Sequence, residues 1–324
     1  MNPFLYLASR KDKNSKLLYN LKNVGGYCIP NCFYRKQLEY KLSLLKNYDE
    51  EAIANRLNYY NKLEHSYCCN DEFIKLKDFT LSKKYKPHTY FWDTYQYTRY
   101  FNPENKISFA FGDVTYVPEF PKIVKSRPIA DNNPNSILLK LDKVRHFIFV
   151  NDPRTFESKQ NLLIGRGGIY QQHRVQFYEK YFHHPLCNLG HVGHKEVHPE
   201  WRADLLPISR HLDYKFILCL EGNDVASNLK WVMSSNSIAV MPKPKYETWF
   251  MEGKLKGDYH YIEIKDDYSD LEEKLKYYIA HTEEALKIID NAHKFVDEFR
   301  DPAKEDLIAL LVLKKYFELQ KECA

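Results

Sequence analysis

The chain has 324 residues, 44% of them hydrophobic and 28% charged, with a net charge of +5. That length supports two domains with cores of their own, and so small a charge does not mark a nucleic-acid binder. No apolar run reaches the ~20 residues that a membrane-spanning helix needs, and only 11 Gly argue against a loop-rich or low-complexity chain.

The chain opens on one short apolar patch, Pro3–Ala8, followed by charged residues with no small-residue cleavage site, so no signal peptide is expected. The seven Cys (28, 32, 68, 69, 187, 219, 323) are odd in number and scattered. Cys219 lies in an apolar run and reads as a reduced, buried thiol, so the expected compartment is the cytoplasm. The first 60 residues hold ten Lys or Arg against five Asp or Glu, a surplus equal to that of the whole chain. That basic segment suits peripheral contact with an anionic inner membrane or with lipopolysaccharide phosphates. Solvated helix faces account for it equally well.

Residues 35–65 read as one or two helices, with Leu38, Leu42 and Leu45, then Ile53, Leu57 and Tyr60, at helical spacing. From residue 106 short apolar runs recur, each ending in a polar or glycine-containing turn. They are Ile107–Phe111, His146–Val150, Leu162–Ile164, Tyr214–Leu220, Ser237–Met241 and Tyr259–Ile264. Such runs, separated by helix-length segments, predict an α/β protein with parallel strands buried on both faces. The stretch from Asp113 to Asn151, with Pro118, Pro121, Pro128 and Pro134, is the expected connection between two units, and Ser136–Val144 within it reads as helical. Near the C-terminus, Ser269 and Glu272 have capping-box spacing and Thr282 can cap the next helix. Asp301-Pro302 opens a last helix.

Ligands in open parallel sheets bind beyond the carboxyl ends of strands, which singles out three turns. Asp113, after Phe111-Gly112, is placed to act as a general base or, more simply, to cap a turn. Gly165-Arg166-Gly167-Gly168, with Arg174 nearby, has the make-up of a phosphate-binding turn, although any tight strand-to-helix turn can use glycine. Glu221-Gly222-Asn223-Asp224-Val225-Ala226-Ser227-Asn228, followed by Lys230, reads as a phosphate or ribose cradle at a helix start. Trp249 and Phe250 suit packing against a ligand ring as well as they suit a core. The tract with His183, His184, Cys187, His191, His194 and His198 has no zinc-like spacing, and Asp266-Asp267 reads as a turn, so no metal is expected.

Several strings resemble glycosyltransferase family 90: Tyr97–Phe101, Phe111–Val114, Ile123–Ile129, Lys140–Phe147, Tyr214–Ser235, Tyr246–Gly253 and His260–Ile264. The likeness is to its bacterial lipopolysaccharide-modifying, LpsA-like branch, and more distantly to the Rumi-type protein O-glucosyltransferases. The resemblance implies a GT-B type fold of two Rossmann-like domains facing a crevice. In this chain that means an acceptor-side domain over residues 1–140, a nucleotide-sugar domain over 141–300, and a C-terminal helix over 301–324 crossing back to the first. It implies an inverting, metal-independent enzyme with no cofactor, moving glucose or galactose from a UDP-sugar to lipopolysaccharide or lipooligosaccharide on the cytoplasmic side of the membrane. Asp113 matches the family's base and Arg166 its basic residue in the next strand–turn. The loop Gly222–Ser227 matches its diphosphate loop. Lys125 and Arg127 fall in a matching string and are candidates for the acceptor. Asn228 stands where the Rumi-type enzymes have Arg, so Arg166, Arg174 or Lys230 would have to meet the phosphate charge. The competing readings are a capsule or protein O-glycosyltransferase of the same fold, or a non-catalytic carbohydrate-binding protein.

Overall fold

The computed structural model describes residues 14–85, 87–195 and 197–321; the Pro3–Ala8 patch and Cys323 lie outside the described residues. The chain divides into two compact units. Among the described residues, the first comprises 16–144, 245–252 and 299–321, and the second 14–15, 145–244 and 253–298.

In the first unit, β1 (Phe109–Ala110), β2 (Lys122–Val124) and β3 (Ser136–Leu138) form a parallel sheet in that order. Ile123, Val124, Ile137 and Leu138 are fully buried, so neighbouring residues on opposite faces are both covered. Two expectations change here. Ile107–Phe111 is two short strands, since Lys106–Ile107 pairs antiparallel with Ile74–Lys75 while β1 pairs parallel with β2. The Asp113–Asn151 stretch does hold the crossing between the units, after Val144, but most of it is core of the first unit, and Ser136–Leu138 is strand, not helix. Its prolines sit where a ladder tolerates them: Pro121 just before β2, Pro128 at the end of Ser126–Pro128, and Pro134 shortly before β3.

An aromatic cluster of Phe79, Tyr85, Phe91 and Trp92, joined by Tyr27, Tyr95, Phe109 and Phe111, fills one side of this unit. Phe109 and Phe111, two residues apart on one side of an extended chain, stack at 4.6 Å, and Tyr90 stacks on Phe111 at 5.4 Å. Tyr246–Thr248 adds an antiparallel pair to Ser126–Pro128. Next to it, Trp249 is 0% exposed, stacks on Tyr60 at 3.8 Å and donates from Nε1 to Glu305; Phe250 packs on Phe299. Both are core, which closes the ligand-packing role for them. The helix Pro302–Glu318 starts as expected, with Asp301 accepting from the Ala303 and Lys304 N–H groups and Pro at the first position.

The second unit is built on five parallel strands: β4 (Gln160–Gly167), β5 (Cys187–His191), β6 (Tyr214–Leu218), β7 (Ile238–Met241) and β8 (Ile262–Glu263). Their order is β8-β7-β6-β4-β5. Leu163, Phe216, Val240 and Ile262 meet Phe177 and Tyr181 of the helix Gln172–Tyr181, and Leu275 and Ile288 of the helices Leu271–Ala280 and Thr282–Asp297. The parallel α/β reading is therefore correct. His146–Val150 is not a strand: His146 ends a helical turn, and the Val150 N–H donates to Ser234 Oγ at 2.9 Å. The capping box is absent, because Asp270 is the N-cap residue and its carboxylate accepts from the Lys265 N–H, while Glu272 pairs with Lys276 and His184. Thr282 lies inside its helix, with His281 at the cap position.

Among the described cysteines, Cys28, Cys32, Cys69, Cys187 and Cys219 are free thiols and Cys68 is disulfide-bonded. Cys219 is buried as expected, and burial pushes its thiol well above the usual range. No helix among the described residues is long and apolar enough to cross a membrane.

Candidate active site

Asp113 follows β1 by three residues, at the carboxyl end of the three-stranded sheet. The stacked Phe109, Phe111 and Tyr90 hold the strand that leads to it. Gly112, at φ +117°, then turns the chain through a backbone conformation that residues with a side chain rarely adopt. The next N–H, of Val114, is fixed to Ser126 Oγ at 3.1 Å. Lys125, the residue after β2, donates from Nζ to Asp113 Oδ1 at 2.5 Å. The lysine side chain is 2% exposed and the aspartate 31%, so a buried ammonium orients a carboxylate that still reaches solvent. Such a carboxylate can take a proton from a hydroxyl brought to it.

Lys125 thus belongs to Asp113. Arg127 is elsewhere: fully buried, it donates to Glu247 at 2.7 Å, the Ser136 carbonyl at 2.9 Å and the Tyr59 carbonyl at 2.7 Å. Those bonds make it a tie between strands and helix inside the first unit, not a surface for an acceptor.

In the second unit the expected glycine turn is mostly strand. Gly165, Arg166 and Gly167 pair with Leu189, Gly190 and His191, and the turn begins only at Gly168. Gly165 is small because a Cβ there would meet Leu189 Cδ2 at 2.9 Å and Leu218 Cδ2 at 3.0 Å. The Arg166 side chain lies against Gly190, where a Cβ would stand 3.0 Å from Arg166 Nε and 2.4 Å from Ala203 Cβ. Its guanidinium donates to the Asn188 carbonyl at 2.7 Å and to Asn188 Oδ1 at 2.6 Å.

Arg174, in the helix Gln172–Tyr181, donates to the Gly168 carbonyl at 2.9 Å, the Leu220 carbonyl at 2.8 Å and the Glu221 carbonyl at 2.8 Å. One guanidinium therefore joins the turn after β4 to the loop after β6. Burial pulls both arginines below the usual guanidinium range. Two residues that sequence reasoning passed over complete this junction: His173 Nε2 lies 2.9 Å from the Glu221 carbonyl, and the Gln171 amide donates to Asn223 Oδ1 at 3.0 Å. Their one sequence signal is adjacency to Arg174.

The cradle itself is a long loop. The helix expected after Gly222 starts at Leu229, runs five residues to Met233, and leaves residues 219–228 irregular. Its N-cap is Asn228, whose amide donates to the Leu218 carbonyl at 2.9 Å and so pins the helix start to the end of β6. So short a helix offers little dipole to a phosphate. Asp224, Val225 and Ala226 are buried; Glu221, Gly222, Ser227 and Asn228 are half-buried, and Asn223 is exposed. Lys230 is fully buried, with Nζ 5.7 Å from the centre of the Phe147 ring.

A cavity of ≈ 960 Å³ in the first unit is lined by residues that include Lys62, His65, Tyr67, Glu119 and Asn135. Pro121 and Asn135 place it at the amino ends of β2 and β3, the end of the sheet away from Asp113. The strand-end rule and the carboxylate both favour the Asp113 end over this cavity. No three His, Cys, Asp or Glu side chains among the described residues are grouped to hold a metal ion. In the histidine tract, His191 accepts the Ile169 N–H at Nδ1 and lies 2.7 Å from the Lys195 carbonyl at Nε2, while His198 stacks on Trp201.

The family model described as Glycosyl transferase family 90 matches residues 168–322. The O-glucosyltransferase LpsA of Dichelobacter nodosus is 40% identical over 307 residues, covering 94% of this chain and 96% of that protein. Protein O-glucosyltransferase 3 of Homo sapiens is 28% identical over 161 residues, covering 48% of this chain and 31% of that protein. Asp113 precedes the residues matched by the family model, so its assignment rests on its string and its geometry.

Proposed function

The chain belongs to glycosyltransferase family 90, and we propose that it is an inverting hexosyltransferase acting on the core oligosaccharide of lipopolysaccharide or lipooligosaccharide. Its donor in this reading is UDP-glucose or UDP-galactose, used without a divalent metal. The GT-B type fold belongs to the same proposal, with base and acceptor assigned to the first unit and the nucleotide sugar to the second. The LpsA relative carries the name O-glucosyltransferase, which makes UDP-glucose the first donor to try.

The observation that carries the reading is Asp113, a solvent-reaching carboxylate at the carboxyl end of a parallel strand, oriented by the buried Lys125. The Asp113 carboxylate, oriented by Lys125, takes the proton from the acceptor hydroxyl in this reading. That oxygen forms its bond to the anomeric carbon as the bond to the UDP oxygen breaks on the opposite face, so the configuration inverts. The leaving diphosphate takes up the electron pair. Backbone N–H groups of the Gly222–Ser227 loop and the guanidinium of Arg166 are the proposed partners of that charge. Arg174 acts one step back, by holding the Gly168 turn and the Leu220–Glu221 carbonyls in place.

The test is UDP release from a panel of UDP-sugars with truncated lipooligosaccharide, with and without EDTA. Release with UDP-glucose or UDP-galactose that EDTA leaves unchanged is the expected result. No release with any donor overturns the transferase reading, and loss in EDTA overturns metal independence. Transfer only to a capsular or protein acceptor replaces the acceptor half of the proposal.

A further inference from the structure

The helix α1 (Lys16–Tyr27) has two unlike faces, and none of its residues is fully buried. Inward, the Tyr19 hydroxyl donates to Asp93 Oδ1 at 2.7 Å, and the Tyr27 ring packs on Phe91, Trp92 and Tyr95 with centroids 6.1, 5.7 and 5.0 Å away. Outward, Leu17, Leu21 and Val24 recur at helical spacing with Leu18 beside them, and they are 69%, 60%, 50% and 67% exposed. Past the helix, Ile29 and Phe33 are exposed apolar residues as well. An aliphatic stripe of this kind, kept in water, is the mark of an interaction surface rather than of scattered surface leucines.

The charges around the stripe identify its partner. At 3.6 residues per turn, Lys16 and Lys22 fall about 120° to either side of the stripe's centre. From there a lysine stem can lie along apolar matter while its ammonium reaches a polar boundary. Arg35, Lys36, Lys41 and Lys46 follow, and across residues 14–48 the sole acidic residue is Glu39. An aliphatic stripe flanked on both sides by ammonium groups fits a plane that is apolar within and anionic at its surface. It does not fit a protein surface of matched patches.

We propose that α1 lies in the plane of an anionic phospholipid bilayer, with Leu17, Leu18, Leu21 and Val24 at the headgroup–acyl boundary and Lys16 and Lys22 among the phosphates. This goes beyond the transfer reaction and does not depend on it. If the acceptor is a glycolipid, the helix holds the enzyme on the surface that presents it.

The experiment is flotation of the full-length chain with vesicles of phosphatidylcholine alone, or mixed with phosphatidylglycerol, at low and high salt. Binding to the mixed vesicles, weakened by salt and weak on the neutral ones, is expected. Leu17→Gln/Leu21→Gln should abolish it, and Lys16→Gln/Lys22→Gln should lower the partition coefficient about 10- to 30-fold. Both pairs of positions are exposed, and thermal melts of the variants check that each one folds. No binding to mixed vesicles, or equal binding by wild type and the leucine variant, overturns the proposal. So does a self-associating wild type that the leucine variant converts to monomer without any vesicle effect, since the stripe would then join two copies of this chain. Donor turnover is not read in this assay, so failure here leaves the transferase reading standing.

Discussion

Asp113 and Lys125 differ in role as well as in burial: one reaches solvent and the other cannot. Replacing the carboxylate by an amide keeps its size and its contact with the ammonium but removes the proton acceptor. Asp113→Asn should therefore lower kcat for transfer by about 10²- to 10⁴-fold, the usual contribution of a positioned base. UDP binding, followed by calorimetry, should stay near wild type. An active Asn variant would move the base to another residue. Arg174 makes the opposite case, because its three carbonyl bonds join protein to protein. Arg174→Met keeps much of the packing yet leaves three carbonyls without that donor. It should destabilise the fold by about 2–4 kcal/mol in urea titrations and raise KM for the donor more than it lowers kcat. A variant with full stability and a lost kcat would instead make Arg174 a direct partner of the diphosphate.

Strand edges show how close packing stands behind the candidate donor site. Gly190 of β5 leaves room for the Arg166 side chain on one side and Ala203 on the other. A methyl group there would be 2.4 Å from Ala203 Cβ, an atom that cannot move without its backbone. Gly190→Ala should cost about 1–3 kcal/mol of stability and displace Arg166, raising KM for the donor. Gly190→Ala/Ala203→Gly should recover much of the stability, and the departure from additivity in a double-mutant cycle measures the contact. Elements of this kind explain which parts of the fold could be read from residues alone. Parallel strands with continuous apolar runs, such as Ile238–Met241, declare themselves because both faces are buried. The Asp-Pro start of the last helix does too, since cap chemistry is local. Gly165–Gly167 did not, because glycine kept small by leucines on neighbouring strands looks the same in sequence as glycine in a phosphate turn. Asp113 was legible as a candidate from its strand and its string. Its partner Lys125 and the Arg174 junction depend on contacts between segments that no spacing reveals.

Each unit is assembled from separate stretches of chain, and in the first unit one carboxylate touches all of them. Glu305, on the last helix, pairs with Arg56 at 2.7 Å and with Lys140 at 2.9 Å, and accepts from Trp249 Nε1 at 2.7 Å. Arg56 and Lys140 come from 16–144, Trp249 from 245–252, and Glu305 itself from 299–321. The Glu305 and Arg56 side chains are almost wholly buried, so water cannot replace a missing partner. Removing the negative charge leaves two cations facing a neutral amide, a loss that costs about 3–5 kcal/mol when a buried pair is broken. Glu305→Gln should therefore lower the unfolding free energy from urea titrations by that amount, while Glu305→Asp, which keeps the charge on a shorter stem, should lose less. If unfolding proceeds in two steps, the step that shifts should be the one reported by the Trp249 environment, because the indole donates to the mutated carboxylate. Fluorescence of a chain whose Trp92, Trp201 and Trp231 are replaced by Phe, so that Trp249 alone emits, and far-UV dichroism on the same titration distinguish the outcomes. A shift confined to the step in which Trp249 fluorescence stays constant would show that Glu305 does not hold the three stretches together.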